Sequence, residues 1–271
     1  MTDAAPFRVA AVQVVSGGDV AANLREAEPL VVDAAAQGAR LVVLPEYFGI
    51  LGERATDKLA VREADGDGPQ QAFLARLAKA HRIWLVGGTV PVATADPSRV
   101  RSACLVYGPE GTRVARYDKI HLFAFRQGDE QYDESRTIEA GSDPVAIDLP
   151  CGRVGLSVCY DLRFPELYRL LPELALILVP AAFTATTGAA HWHLLLRARA
   201  VENQCYVLAA AQGGLHPNGR RTFGHSVLID PWGGIVAERA AGPGVVVGDV
   251  DPARIAEVRA QLPALAHRVF R

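Results

Sequence analysis

Apolar and polar positions along the chain switch repeatedly between two periods. FRVAAVQVV (7–15) is an almost unbroken apolar run, NLREAEPLVVDAAAQ (23–37) repeats its apolar residues every three or four positions up to Gly38, and RLVVLPE (40–46) returns to a continuous run. This reads as strand, helix, strand, with glycine ending the helix. Further strands are expected at 83–92, 102–108, 145–149, 154–158, 175–183, 205–212, 225–230 and 245–250, and helices at about 69–81, 164–171, 190–204 and 252–261. Pro109-Glu110-Gly111 and Pro231-Trp232-Gly233-Gly234 are hairpin signals, so the sheets should be mixed. LVVLPEYF (41–48) and LILVPAAF (176–183) echo one another as apolar runs closed by proline, a hint of two related half-sheets. About ten strands or more exceed what one comfortable open sheet holds in this length, so two sheets packed face to face with helices outside, a layered α/β sandwich, is the expected fold.

Composition narrows the function classes. The 271 residues are 50% hydrophobic and 21% charged, enough for a large core in one domain spanning 1–271. A net charge of −2 with interspersed signs provides neither a basic stripe for nucleic acid nor a polybasic membrane patch. Cys104, Cys151, Cys159 and Cys205 lack CxxC spacing, which argues against a zinc ribbon or a thioredoxin-type pair and fits a reducing cytoplasm. No basic n-region precedes an apolar stretch, and no window approaches the roughly 18 apolar residues of a membrane span. A small-molecule partner is therefore expected.

Within GLSVCYDLRFPELYR (155–169), Cys159 stands where an apolar strand gives way to a charged turn. Such a junction exposes a nucleophile and points backbone amides at developing negative charge, although a buried cysteine is more often a small hydrophobe. Glu46 closes LVVLPEYF at the C-terminal end of a strand, where burial would raise a carboxyl pKa toward general-base use; the alternative is an exposed loop carboxylate. Lys119 in RYDKIHLF (116–123) is a surface charge unless something anionic meets it, and Glu134 in a polar loop carries no signal alone. Together these residues supply what thiol attack on a carbonyl needs: a base, an oxyanion donor and an acid for the leaving amine, with an ammonium that would lower the thiol pKa.

The ordered segments LPE, YDKIHLF and VCYDLRFPELYR are similar to the signature of the nitrilase superfamily of carbon–nitrogen hydrolases, a resemblance that extends from AAVQVVSGGDVAANL (10–24) to VRAQLP (258–263). It implies a four-layer α-β-β-α sandwich that pairs into a homodimer or a multiple of one. It also implies Glu46 as general base and acid, Lys119 as oxyanion stabiliser, Cys159 as nucleophile, Glu134 as supporting glutamate and the Tyr160 N–H as the second oxyanion donor, with no metal or organic cofactor. The block 181–234 resembles the deaminated glutathione amidase branch most, with the ω-amidases next. Both groups act on amides that bear carboxylates. Arg163, four residues after Cys159, is a candidate receptor for such a carboxylate or else a salt-bridge partner of Asp161 or Glu166. Phe183, Thr184 and Thr187 either wall the pocket or simply pack.

Two departures from the family pattern bear on the pocket: LLPELALILVP (170–180) has a compressed helix-to-strand loop, and Ala124-Phe125 follow KIHLF where relatives carry Asp. His191 and His193, at i and i+2, share no helix face and do not suggest zinc. HPNGRR (216–221) reads as a solvated turn near the site's mouth, and GPGVVVG (242–248) lacks a phosphate-loop context. Cys104, Cys151 and Cys205 read as buried strand residues.

Overall fold

A computed structural model describes residues 5–128 and 130–270. In the first half run β1 (Phe7–Gln13), α1 (Val20–Ala36), β2 (Leu41–Leu44), α2 (Asp57–Ala60), α3 (Pro69–His81), β3 (Trp84–Gly87), β4 (Val90–Ala93), β5 (Val100–Tyr107), β6 (Arg113–Asp118), β7 (Ala124–Gln127) and β8 (Glu130–Asp133). The second half holds β9 (Ala146–Leu149), β10 (Gly152–Leu156), α4 (Pro165–Arg169), β11 (Leu174–Ala181), α5 (Ala185–Asn203), β12 (Tyr206–Ala211), β13 (Ser226–Ile229), β14 (Ile235–Arg239), β15 (Gly244–Val250) and α6 (Pro252–Gln261).

The strands form two mixed sheets, in the orders β15-β1-β2-β3-β5-β4, with β6 also paired to β5, and β14-β13-β12-β11-β10-β9; β7 and β8 make a separate hairpin. Alternate residues of β1 explain the layering: Val9 and Ala11 join a core shared with Leu176, Leu178, Val207 and Val227 of the facing sheet, whereas Ala10 and Val12 pack against Ala27 and Val31 of α1 and Leu74 and Leu77 of α3. Strands covered on both faces lose their alternation, which is why they read as continuous apolar runs. Trp192, Leu196 and Ala200 of α5 cover the second sheet and complete a four-layer α-β-β-α sandwich.

The two echoing segments occupy corresponding places. β2 lies parallel between β1 and β3 in one sheet, and β11 lies parallel between β10 and β12 in the other. Both proline-marked hairpins are present, joining β5 to β6 and β13 to β14.

Three expectations are corrected. The single strand expected over 83–92 is two strands, broken at Gly88, whose φ of +35° and close approach to the Pro45 carbonyl leave no room for a Cβ. The helix expected from residue 190 begins at Ala185, because Thr184 caps it by accepting the Thr187 N–H at 3.2 Å. Residues before Glu134, read as loop, include the β7–β8 hairpin, whose polar sequence hides its strand character.

Candidate active site

Four chain segments converge at the C-terminal ends of β2 and β10. Glu46 follows β2, and its backbone is fixed from both sides: Gly88 packs on the preceding Pro45 carbonyl, and buried Gln212 donates to the Glu46 carbonyl at 3.0 Å. Lys119 follows β6, with its N–H bonded to the Ser102 carbonyl at 3.0 Å. Its ammonium lies 2.7 Å from Glu46 Oε1 and 2.7 Å from Glu134 Oε2, and its side chain is 0% exposed. Glu134 opens a 3-10 turn (Glu134–Arg136) and also accepts the Phe123 N–H and the Tyr47 hydroxyl, each at 2.7 Å.

Cys159 begins a second 3-10 turn, Cys159–Arg163, directly after the extended residue Val158. Its φ of +49° is unusual for a residue with a Cβ, and Tyr47 beside Glu46 has φ +57°. Backbone strain of this kind persists where surrounding contacts over-determine it. Here Asp161 does so: buried, it accepts the Val158 N–H at 2.8 Å and the Tyr117 hydroxyl at 2.7 Å, and its second oxygen accepts the His121 N–H at 3.0 Å. One carboxylate thus ties the cysteine turn to both flanks of Lys119. Glu46, Tyr47, Lys58, Phe123, Tyr132, Glu134, Cys159, Ala182, Thr184 and Arg220 line a common cavity of about 590 Å³.

The charges divide the two glutamates. Burial and the neighbouring Glu134 push the Glu46 pKa up, and its contact with Lys119 does not cancel this. Burial acts on Glu134 too, but Lys119, the Phe123 amide and the Tyr47 hydroxyl outweigh it and hold Glu134 below the usual carboxylate range. Burial pulls the Lys119 pKa down, yet the two carboxylates carry it well above that of a free lysine. The pair therefore places a permanent cation beside a carboxylate of raised proton affinity. The thiol departs from expectation: burial first and Glu46 second push Cys159 well above the ordinary thiol range, and Lys119 and the Ala182 N–H only partly oppose them. The neighbouring ammonium thus does not bring the Cys159 pKa below the ordinary thiol range.

Comparison with known proteins agrees with this geometry. The carbon-nitrogen hydrolase family model matches residues 8–260. The chain belongs to the carbon–nitrogen hydrolase family. It is 43% identical to the deaminated glutathione amidase of Synechocystis sp. over 98% of this chain and 99% of that protein. It is 36% identical to the ω-amidase NIT2 of Homo sapiens over 97% of this chain and 95% of that one. Among solved structures, Nit3 of Saccharomyces cerevisiae, a member of branch 10 of the nitrilase superfamily, superposes with a TM-score of 0.88 at 31% identity, covering 98% of this chain and 97% of the other. The protein is thus a hydrolase of carbon–nitrogen bonds other than peptide bonds.

The remaining site candidates of this carbon–nitrogen hydrolase are distributed unevenly. Thr184 lines the cavity as well as capping α5, and Thr187 is the capped residue, its hydroxyl 2.9 Å from that of Thr184. The Tyr160 and Phe183 rings and the Arg163 side chain do not line the cavity. Arg163 makes neither of its two expected contacts: its Nη1 lies 3.2 Å from His191 Nδ1, with the guanidinium over the rings of Tyr160 and Phe183. Asp161 is unavailable to it, being committed to Tyr117, Val158 and His121. The cavity carries other cations instead, Lys58 and Arg220 among them. Tyr47, Asp161 and Gln212 were not singled out from the sequence as site residues; only Tyr47 and Asp161, adjacent to motif residues, offered a signal.

Cys104, Cys151 and Cys205 are buried away from the cavity, their thiols pushed up by burial to about 12, 11 and 12. His191 and His193 diverge as their spacing requires. His193 instead meets Glu238 at 2.7 Å, and His225, His193 and Glu238 bring three ligand-type atoms within 4.8 Å of one another outside the cavity lining. In HPNGRR, His216 is not solvated: it is buried, with its ring nitrogens 2.8 Å from the Ser16 carbonyl and 2.7 Å from the Thr222 hydroxyl.

Proposed function

We propose that the protein is a thiol amidase that hydrolyses a carboxylate-bearing amide, deaminated glutathione, through a thioester on Cys159. The observation that carries this reading is that Cys159 and Glu46 line one cavity, with the Lys119 ammonium directly behind Glu46, 2.7 Å from its Oε1. Glu46 takes the thiol proton as Sγ bonds to the amide carbon. Lys119 and the Tyr160 N–H receive the negative charge that moves onto the carbonyl oxygen, and Glu134 keeps the ammonium charged and in place. Glu46 returns its proton to the nitrogen as the C–N bond breaks, then takes one from water as the water oxygen attacks the thioester, which releases the acid and the thiol. The identity to a protein named deaminated glutathione amidase supports the substrate. A second reading, an ω-amidase acting on α-keto amides, is favoured by the 36% identity to the human ω-amidase.

Incubation with deaminated glutathione and mass detection of products tests the reading. Release of α-ketoglutarate and cysteinylglycine is expected, and an intact substrate alongside a cleaved nitrile or carbamoyl amino acid would overturn it.

The same proposal covers assembly and location. Among the described residues no helix is long and apolar enough to cross a membrane, and a cytoplasmic location fits four unpaired cysteines. Exposed Leu170, Leu194 and Trp232 favour a homodimer or a multiple of one. Sedimentation showing only a 29.0 kDa species would contradict it.

A further inference from the structure

Two partly buried cations face the cavity without an anion of their own. Lys58, on α2, is half-buried; its ammonium stands 5.3 Å above the Tyr47 ring and 3.4 Å from the hydroxyl of buried Thr137. Arg220, in the loop before β13, stacks its guanidinium 5.6 Å over the Tyr132 ring. Among the described residues neither forms an ion pair with a carboxylate, whereas Arg54, which also lines the cavity, is held by Asp57 at 3.2 Å, and Arg136 is exposed. Burial pushes the Lys58 pKa down, so the folded protein holds this charge at a cost that a bound anion would relieve.

The two cation-bearing segments are built rather than loose. Asn218 donates to the Gly52 carbonyl at 2.7 Å, which joins the Arg220 loop to the segment leading into α2. Asn218 Oδ1 also accepts the Arg220 N–H at 3.0 Å, and the Arg220 carbonyl accepts the N–H of buried His216 at 2.9 Å. The cations differ in what they rest on. Lys58 packs on Tyr47, whose hydroxyl bonds Glu134, one residue removed from Lys119. Arg220 rests instead on Tyr132 of the β7–β8 hairpin.

The difference matters because thiol attack splits the substrate. The acyl part stays on sulfur, while the amine leaves outward. We infer that Lys58 receives the carboxylate on the acyl side of the scissile amide and Arg220 a second carboxylate on the leaving-amine side, so that the pair, not Arg163, selects amides flanked by two acids. This rests on the amidase reading of the cavity. It also separates that reading's two substrates, since α-ketoglutaramate loses only ammonia and has nothing for Arg220 to hold.

The test compares kcat/KM on deaminated glutathione, α-ketoglutaramate and neutral pentanamide for the wild type, Lys58→Met, Lys58→Arg and Arg220→Met, with calorimetric titration of α-ketoglutarate as a readout that needs no turnover. Removing a charge-assisted contact should cost about 10- to 100-fold. Lys58→Met should show that loss on both acids and in α-ketoglutarate affinity but not on pentanamide, with Lys58→Arg recovering most of it. Arg220→Met should show it on deaminated glutathione alone. Equal losses on acids and pentanamide, or unaltered α-ketoglutarate affinity in Lys58→Met, would overturn the inference while leaving the amidase reading intact. Lys58-dependent binding of α-ketoglutarate without cleavage of any of these amides would do the reverse.

Discussion

Lys119 bonds Glu134, and Lys58 packs on Tyr47, whose hydroxyl bonds the same Glu134; the two are opposite cases of a lysine removed from water. Lys119 is fully buried between two carboxylates, which raise its pKa despite burial. Lys58 is half-buried with a hydroxyl and an aromatic ring for company, and burial lowers its pKa. A charge whose partners are inside the protein is preorganised before substrate arrives and suits the developing oxyanion. A charge without one gains its partner only on binding, which suits recognition. On the proposed reading the fully buried lysine serves catalysis and the half-buried one selection.

Breaking the catalytic half should have the largest effect. Lys119→Met should lower kcat by roughly a hundredfold or more, the scale of a lost oxyanion donor, and should cost about 3–5 kcal/mol of stability because two carboxylates are left without their cation. Quenched samples analysed by intact mass should contain no acyl-enzyme, and rapid acylation followed by a slow second step would place Lys119 outside the first step. Glu46→Gln sharpens the comparison through pH. Burial and then Glu46 raise the Cys159 pKa, so the thiol is protonated below that raised value and ionises only above it. Removing the Glu46 charge deletes one raising influence, so the midpoint of Cys159 alkylation by iodoacetamide should move to lower pH even as hydrolysis stops. A midpoint moving upward would show that Glu46 does not press on the thiol. The smallest effect belongs to Arg163→Ala. With its side chain against His191 and outside the cavity lining, kcat/KM should change by no more than about twofold, alike on charged and neutral amides. A selective loss on the acid would return the carboxylate to Arg163.

What the chain discloses before folding depends on how local the information is. The central strands were readable because burial on both faces writes itself as unbroken apolar runs, and Glu46, Lys119 and Cys159 were readable because each sits at the end of such a run or in a motif. The β7–β8 hairpin was not, since its residues are polar and half-exposed. Nor was the break at Gly88, which answers to a carbonyl more than forty residues away. Spacing alone did not fix the surroundings of Arg163: it lies four residues from Cys159 along the chain, at the end of the 3-10 turn Cys159–Arg163, and its guanidinium meets His191 of α5. Lys58 and Arg220 lie in segments with no catalytic pattern, far apart in the sequence, and Asn218 joins the Arg220 loop to the segment leading into α2.

The central claim is a covalent one, that the acyl group is carried on Cys159, and intact-mass analysis of acid-quenched enzyme during turnover of deaminated glutathione tests it most directly. The account predicts an adduct equal to the α-ketoglutaryl group, localised to Cys159 by peptide mapping, present in the wild type and in a Cys104→Ala, Cys151→Ala, Cys205→Ala triple variant. It predicts no adduct and no turnover in Cys159→Ala. Sustained hydrolysis by Cys159→Ala, or an adduct mapped to another residue, would contradict it.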